Sequence, residues 1–325
     1  MKLQQLRYIC EIARAGLKVS EAAANLYTSQ PGISKQVRLL EEELGVQIFR
    51  RSGKHFAEIT PAGREILKRA ENVLLEVRNI KSIAREHADE SRGSLTIATT
   101  HTQACYALPD TIQRFRAHYP NVSLHIHMGT PQQIAEMAAR SEVDFAIATE
   151  ALELLEDLVT LPCYHWSHCA VAPLGHPVLE QPLTLEHLAQ YPIVTYVFGF
   201  TGRSKLDQAF AAKGLKPKVV FTATDSTTLK TYVRMGVGVG IMARMAFDPE
   251  ADHGLGKADA AHLFPANTSH IAFRRGTVLR KYMYEFIRLF APHLTPELVD
   301  EAMALESKAE REKLYAAKLP KLPTR

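Results

Sequence analysis

The sequence predicts a multidomain protein: an α winged helix-turn-helix at its start, then an α/β part made of two subdomains. Three observations predict it. Three short amphipathic helical patterns and a basic strand-turn-strand fill the first sixty residues, one long helical pattern follows, and beyond residue 89 strand-like and helix-like runs alternate. The 325 residues also exceed what one hydrophobic core organises, since domains hold about 100–200 residues.

Each element has its own signal. Leu3, Leu6, Ile9, Cys10 and Ala13 recur at helical spacing, giving a first helix over residues 2–15 that stops near Gly16. Ser20 is a good N-cap with Glu21 in the following turn, so a short second helix starts there and carries Ala22, Ala23 and Leu26. Ser29-Gln30-Pro31 joins a capping side chain to a proline just inside a helix start and marks a third helix. Its row Ile33, Val37, Leu40 and Leu44 faces inward, and Gly45 supplies the left-handed stop. Val46, Ile48 and Phe49, then Arg50-Arg51-Ser52-Gly53-Lys54-His55, then Phe56 and Ile59 read as strand, turn and strand: a wing. Thr60 caps a long helix over 61 to about 87. Along it Ile66, Ala70, Val73, Val77, Ile80 and Ala84 step by four, three, four, three and four, the seam of a coiled coil. From 61 to 86 this helix spans roughly 39 Å, more than a small winged unit needs for itself, which favours a dimerising linker over a helix buried in its own domain.

The polar stretch 89–93 reads as a boundary. After it come strands over 95–98, 122–127 and 145–148, with helices over 107–118 and 131–140, an alternation that argues for a parallel sheet. A second set places strands near 159–172, 193–196, 219–222, 239–242 and 271–273, with helices near 185, 204–213, 227–235 and 279–291. Two such halves joined by crossing strands enclose a cleft. From Thr295 the chain is rich in Glu, Lys and Ala, with Pro320 and Pro323 near its end, which predicts one more helix and a frayed terminus.

Charge separates the two parts. Residues 1–93 carry 16 Lys+Arg against 12 Asp+Glu and residues 94–325 carry 23 of each, so the whole net charge of +4 lies in the first part. It clusters around Lys35 and Arg38 and at Arg50, Arg51 and Lys54, and phosphate contacts depend on such local clusters. In a helix-turn-helix the second helix lies in the major groove with its leading residues at base edges. With the inward row accounted for, Ser29, Gln30, Pro31, Ser34, Lys35 and Arg38 remain on the outward leading end. Gln30 suits an adenine edge, Lys35 or Arg38 guanine or phosphate, and Ser34 either, while Arg50, Arg51, Lys54 and His55 on the tight turn suit phosphate or the minor groove. The partner these residues imply is double-stranded DNA.

No apolar run approaches the roughly 20 residues of a membrane span, and the start of the chain lacks the apolar region of an export signal, so a cytoplasmic protein without a membrane partner is expected. Cys10, Cys105, Cys163 and Cys169 show no framework spacing and are read as free thiols. Thr99-Thr100-His101-Thr102-Gln103 follows a strand and precedes a helix, so hydroxyls and backbone N–H groups converge at a place that suits a carboxylate or sulfate. Neither Lys nor Arg stands beside it, so neutral donors would hold the anion. The string Cys163, His165, His168, Cys169 resembles a metal or redox set, but strand alternation puts Cys163 and His165 on one side and His168 on the other. His125 and His127 share a strand face, and Gly236 to Gly240 lacks the rest of a nucleotide-binding loop.

The stretch AAANLYTSQPGISKQVRLLEEELGVQIFRR followed by TPAG resembles the LysR-type family of transcriptional regulators. MKLQQLRYI, RSGKH, IATTHTQA, DFAIATEAL, LPCYHW, YPIVTY, FGFTGRS, VFTATD and the long tail after APHLT resemble one branch of it, the CysB group of sulfur-assimilation regulators. The resemblance implies a DNA-binding domain at 1–60, a dimerising linker helix at 61–88, a periplasmic-binding-protein-like effector domain of two α/β subdomains at 89–295, and a tail at 296–325. It implies a homotetramer, a dimer of dimers, that binds promoter DNA, works with RNA polymerase and mainly activates genes of sulfate assimilation and cysteine biosynthesis. It further implies no catalytic residues, no bound metal and no cofactor beyond a small effector, N-acetylserine or O-acetylserine, with sulfate or thiosulfate able to occupy the site. Thr100, Thr102, Gln103, Thr149, Trp166 and Thr201 match effector-binding positions of that group. Cys105 departs from the pattern, standing where close members carry arginine. Two other readings stay open: a regulator of sulfonate utilisation under sulfate starvation that senses sulfate or adenosine phosphosulfate, and a solute-binding module. An enzyme is disfavoured, because no nucleophile-base-acid or metal-ligand set is present.

Overall fold

The computed structural model describes residues 1–53, 55–200 and 202–325, and the chain divides into two compact units, Met1–Arg85 and Glu86–Arg325. In the first, α1 (Leu3–Arg14), α2 (Val19–Asn25) and α3 (Gln30–Leu44) pack around Ile9, Ile12, Ile33, Val37 and Leu40. Ser29 caps α3, its hydroxyl accepting from the Gly32 amide at 3.3 Å, and Gly45 closes the helix at φ 69°. Two expectations fail here. Because Val19 is itself buried in the core, α2 starts right after Lys18, and Ser20 lies inside the helix instead of capping it. Leu44, in the last turn of α3, is exposed and lines an open groove with Met1, Leu6, Ile66 and Val73 rather than extending the inward row.

The wing is present as β1 (Phe49–Ser52) and β2 (His55–Ile59), antiparallel, with the Phe49 and Phe56 rings 4.8 Å apart. Thr60 ties it to the next helix: its amide donates to the Ile48 carbonyl, its hydroxyl donates to the Gln47 carbonyl and accepts from the Gly63 amide. No side chain fits at Gly63, where a Cβ would stand 2.2 Å from the Ile48 oxygen. The long helix α4 (Pro61–Ala88) has 28 residues, about 42 Å. It buries Leu67, Ala70 and Leu75, whereas Val73, Ile80 and Ile83 are exposed.

The second unit contains two five-stranded sheets. β3 (Gly93–Thr99), a π-helix (Gln103–Ala107), α5 (Pro109–His118), β4 (Val122–Met128), α6 (Pro131–Ala139), β5 (Phe145–Ala148) and β6 (Leu158–Trp166) open it. Next come β7 (His168–Pro173), α7 (Leu185–Leu188), β8 (Ile193–Tyr196), α8 (Arg203–Ala212), β9 (Val219–Ala223), α9 (Ser226–Arg234), β10 (Val239–Ala243) and β11 (Leu255–Asp259). β12 (Asn267–Arg274), α10 (Lys281–Phe290), α11 (Pro296–Ala304) and α12 (Lys308–Lys318) complete it. The sheet orders are β4-β3-β5-β12-β6 and β11-β7-β10-β8-β9.

Parallel pairing, as expected from the alternation, joins β3 to β4 and β5, and β8 to β9 and β10. Antiparallel pairing enters with the crossing strands: β12 runs against β5 and β6, and β7 against β10 and β11. The single strand expected over 159–172 is two strands in different sheets, split at Ser167. An apolar run buried on both sides carries no punctuation that would reveal the break. Likewise 271–273 belongs to the first sheet, because the chain returns to it after β11.

Alternation assigns the two faces of each sheet. On β5, Phe145 and Ile147 join the aromatic cluster of Phe115, Phe286 and Phe290, while Ala146 and Ala148 face Ile134, Ala135 and Ala138 of α6, whose close approach needs small residues. In the second sheet Ala170, Ala172 and Ile241 pack with Leu206 and Phe210 of α8, and Cys169, Val171 and Met242 with Leu229 and Val233 of α9.

The tail corrects the expectation most. It forms two helices, and its last residues are ordered against β6: His165 donates to the Pro323 carbonyl and Arg325 to the His165 carbonyl, both at 2.8 Å, a parallel bridge. Among the described residues no helix is long and apolar enough to cross a membrane.

Candidate functional site

The first candidate surface is the leading end of α3 with the wing. Ser29, Gln30, Pro31, Lys35 and Arg38 are exposed and Ser34 half-buried, as the inward row Ile33, Val37, Leu40 requires. Arg50, Arg51 and His55 are exposed on the wing. Lys54 and Thr201 lie outside the described residues. Several of the cations have acidic neighbours that the sequence did not signal. Arg38 is 3.3 Å from Glu42, Arg50 is 2.9 Å from Glu58, and Arg51 is 3.8 Å from Glu41 while its guanidinium covers the Phe56 ring at 4.6 Å. The exposed pairs Arg38–Glu42 and Arg50–Glu58 contribute about 0–1 kcal/mol each, so a phosphate would displace the carboxylate at little cost. Glu41 does more: it accepts from the Ile48 and Phe49 amides at 2.8 and 3.0 Å, fixing the wing to α3.

The second is the junction between the two sheets of the larger unit. The structure brings Gln103, Thr149 and Trp166 into one hydrogen-bonded chain. The Gln103 amide donates to Ser269 Oγ at 2.8 Å, its carbonyl accepts from the Tyr164 hydroxyl, Ser269 meets the Thr149 hydroxyl at 3.4 Å, and Trp166 Nε1 donates to Thr149 at 3.0 Å. Gln103 is therefore a strut, with both ends of its amide engaged. Tyr164 and Ser269 belong to this chain and were not anticipated; Tyr164 sits in the LPCYHW block, but nothing local marks Ser269. Burial pushes the Tyr164 phenol up to about 12, so it remains a donor at neutral pH.

Thr100 and Thr102 are buried beside this chain. The Thr102 hydroxyl approaches the Tyr196 phenol of β8 without a hydrogen bond of regular geometry. Burial raises Tyr196 to about 12, eased by its bonds to Ser226 at 2.6 Å and to the Ala243 amide at 3.2 Å. The Ser167 hydroxyl, at the crossing from β6 to β7, and the Asn267 amide, at the start of β12, are also buried without a partner among the described residues. Gly202 donates its amide to the Glu150 carboxylate, and a Cβ on Gly202 would meet Asn267 at 2.7 Å and His168 at 2.9 Å. The orphaned groups here are neutral, beside the Glu150 carboxylate. Cations reach the junction as well: Lys205 donates to the Ala266 carbonyl, burial lowering its ammonium pKa, and Arg203 of α8 donates to the Tyr196 carbonyl at 2.7 Å. Tyr106 of the π-helix also touches the second subdomain, its ring 5.3 Å from the Lys230 ammonium.

Cys105 is exposed, 3.5 Å from His101 Nε2, and burial of the thiol followed by the Asp225 charge raises its pKa, so it brings no anion to the site. Cys163 and Cys169 are buried thiols, both pushed up to about 12 by burial, and they occupy different sheets. A bulge at Cys163, with Pro162 opposite His270 and Tyr164 opposite Ser269, resets the strand alternation on which the expected facing of Cys163 and His165 rested. No group of three or more His, Cys, Asp or Glu among the described residues could hold a metal. The glycines at 236, 238 and 240 serve a turn at φ 75° and close packing on Pro192 and Val233.

Residues 3–64 match the family model for the bacterial regulatory helix-turn-helix protein, lysR family, and residues 88–295 match the LysR substrate binding domain. The chain is 52% identical over 316 residues to the HTH-type transcriptional regulator CysB of Haemophilus influenzae, covering 97% of this chain and 98% of that one. It is 48% identical over 295 residues to the HTH-type transcriptional regulator SsuR of Burkholderia cenocepacia, covering 90% and 96%. Among solved structures, the cofactor-binding domain of the Cbl transcriptional regulator aligns with a TM-score of 0.64 at 42% identity, over 66% of this chain and 95% of that one.

Proposed function

The chain belongs to the LysR family of helix-turn-helix transcriptional regulators, and from that premise we propose that it controls genes of sulfate assimilation and cysteine biosynthesis, mainly as an activator, in response to a small oxygen-rich effector. The family is one of regulators, not enzymes, and its helix-turn-helix carries DNA binding. The observation that carries the effector reading is the set of buried neutral groups at the junction without a hydrogen bond of regular geometry among the described residues, the Thr102 and Ser167 hydroxyls and the Asn267 amide. Buried polar groups are normally satisfied, so groups of this kind on the first-sheet side and at the crossing of a sheet-to-sheet junction suit a ligand with several acceptor oxygens. N-acetylserine or O-acetylserine, with a carboxylate and an acetyl carbonyl, fits this chemistry; sulfate or thiosulfate fits it as a competitor.

In this reading the protein is a cytoplasmic homotetramer acting at promoter DNA with RNA polymerase, paired through α4. Effector switches it only by binding one arrangement of the subunits more tightly than another. A second reading draws on the same neutral junction, which also suits a bare sulfate: a regulator of sulfonate utilisation sensing sulfate or adenosine phosphosulfate.

Calorimetry on the full chain with N-acetylserine, O-acetylserine, sulfate, thiosulfate and adenosine phosphosulfate separates the two. Binding of an acetylserine that weakens by about tenfold in Thr102→Val supports the first, a loss equivalent to about 1.4 kcal/mol. Binding of sulfate or adenosine phosphosulfate alone favours the second, and binding of none refutes the sensor.

A further inference from the structure

β6 is an edge strand of the first sheet, and the backbone groups on its outer side need partners. The tail supplies most of them. Arg311 and Tyr315 of α12 donate to the Leu158 and Thr160 carbonyls at 3.2 and 2.7 Å, and His293 meets the Pro162 carbonyl at 2.9 Å. Past the bulge at Cys163 the outward groups are those of His165, and residues 323–325 pair with them as a single parallel bridge. The residues on either side of His165 are Tyr164 and Trp166, which turn inward into the hydrogen-bonded chain at the junction.

Arg325 extends that grip. Its guanidinium lies over the Tyr164 ring at 4.5 Å and the Phe290 ring at 5.2 Å, and donates to the Ala107 carbonyl at 2.9 Å and the Phe290 carbonyl at 3.2 Å. Ala107 is the last residue of the π-helix whose first residue is Gln103. One side chain therefore holds the far end of that π-helix and the ring whose hydroxyl holds Gln103. Only a planar, forked cation can stack and donate in two directions at once, so lysine is no substitute.

We propose that Arg325, with the bridge that residues 323–325 make to His165, is a positioning residue for the effector junction, setting Tyr164, Gln103 and Trp166 from outside the site. Its ligand-binding consequence rests on the effector reading above; its effect on the geometry of Trp166 does not.

Trp166 is the sole tryptophan, so fluorescence excited beyond the absorption of the eleven tyrosines reports on this chain of residues. The full chain is compared with Arg325→Ala, Arg325→Lys and Lys308→Ala, the last removing a tail contact to Glu153 that does not touch the junction. The expected result is that both Arg325 variants keep native far-ultraviolet circular dichroism and ligand-free DNA binding, while acrylamide quenches Trp166 about twice as strongly or more and titration with sulfate or N-acetylserine weakens on the order of tenfold. Lys308→Ala behaves as the parent.

Unchanged quenching in both Arg325 variants, or equal effects in Lys308→Ala, overturns the proposal. If Arg325→Ala does not fold, Arg325→Lys and amide exchange at His165 in the parent decide it: exchange slowed by sulfate or N-acetylserine supports coupling, and exchange unmoved by a ligand that binds overturns it. Should the parent bind neither probe, the effector reading fails and the quenching comparison alone decides this one.

Discussion

Thr102 and Gln103 are adjacent in the chain and opposite in kind: one carries a buried hydroxyl without a regular partner, the other a buried amide engaged at both ends. Replacing the first removes a hydroxyl without a regular hydrogen bond, so Thr102→Val is expected to keep its melting temperature while losing ligand affinity; a fall in both would mean that the contact with Tyr196 is structural. On the DNA-facing side, Gln30→Ala should cost about 1–3 kcal/mol of discrimination between operator and random duplex, whereas Lys35→Ala should weaken both alike, as competition gel shifts would register. His270 gives a pH-dependent term. Burial, opposed by Glu153 at 3.3 Å and helped by Lys308 and His165, lowers its pKa from 6.5. The unfolded chain then takes up more protons as pH falls, so the stability from the neutral ring is complete above about pH 6.5 and declines below it. Urea denaturation should show a shallower decline for His270→Gln, and an equal slope would contradict this. Ser29 and Gly45 were legible in the sequence because a cap and a stop are local rules. Ser269, Asn267 and Tyr196 were not, since their roles depend on partners far away in sequence.

The long helix α4 shows how far periodicity reaches. Its four-three spacing placed a seam through Ile66, Ala70, Val73, Val77, Ile80 and Ala84; the structure packs Ile66 and Ala70 into the helix's own unit and leaves Val73 and Ile80 of that row exposed with Ile83, which was not in it, an apolar line that a partner helix would cover. Ile80→Asp is expected to shift the sedimentation coefficient toward a smaller species without loss of helix content; an unchanged mass would place pairing elsewhere. Strand periodicity reached less far. The run over 158–173 is apolar on both faces, so neither the change of sheet at Ser167 nor the bulge at Cys163 left a mark in its composition. The tail misled for the converse reason: its charge and prolines suggest a solvated end, yet Arg311, Tyr315 and Arg325 are spent on carbonyls of an edge strand that only the folded sheet creates.

At the scale of the whole molecule, a basic part up to residue 93 and an electrically balanced remainder, with the switch in periodicity, placed the division close to the boundary between the two units after Arg85. What each sheet contains was not, because the chain crosses between sheets twice and sheet membership is a non-local property. The central claim joins the two units: α3 meets base edges, and ligand at the sheet junction alters how it does so. A footprint on promoter DNA, taken with and without N-acetylserine or sulfate in the parent and in Thr102→Val, tests that most directly. The expected result is a protected region whose length or bend changes with ligand in the parent and stays fixed in the variant. Protection no better than on random duplex at low salt, or a pattern indifferent to every ligand that binds, would contradict it.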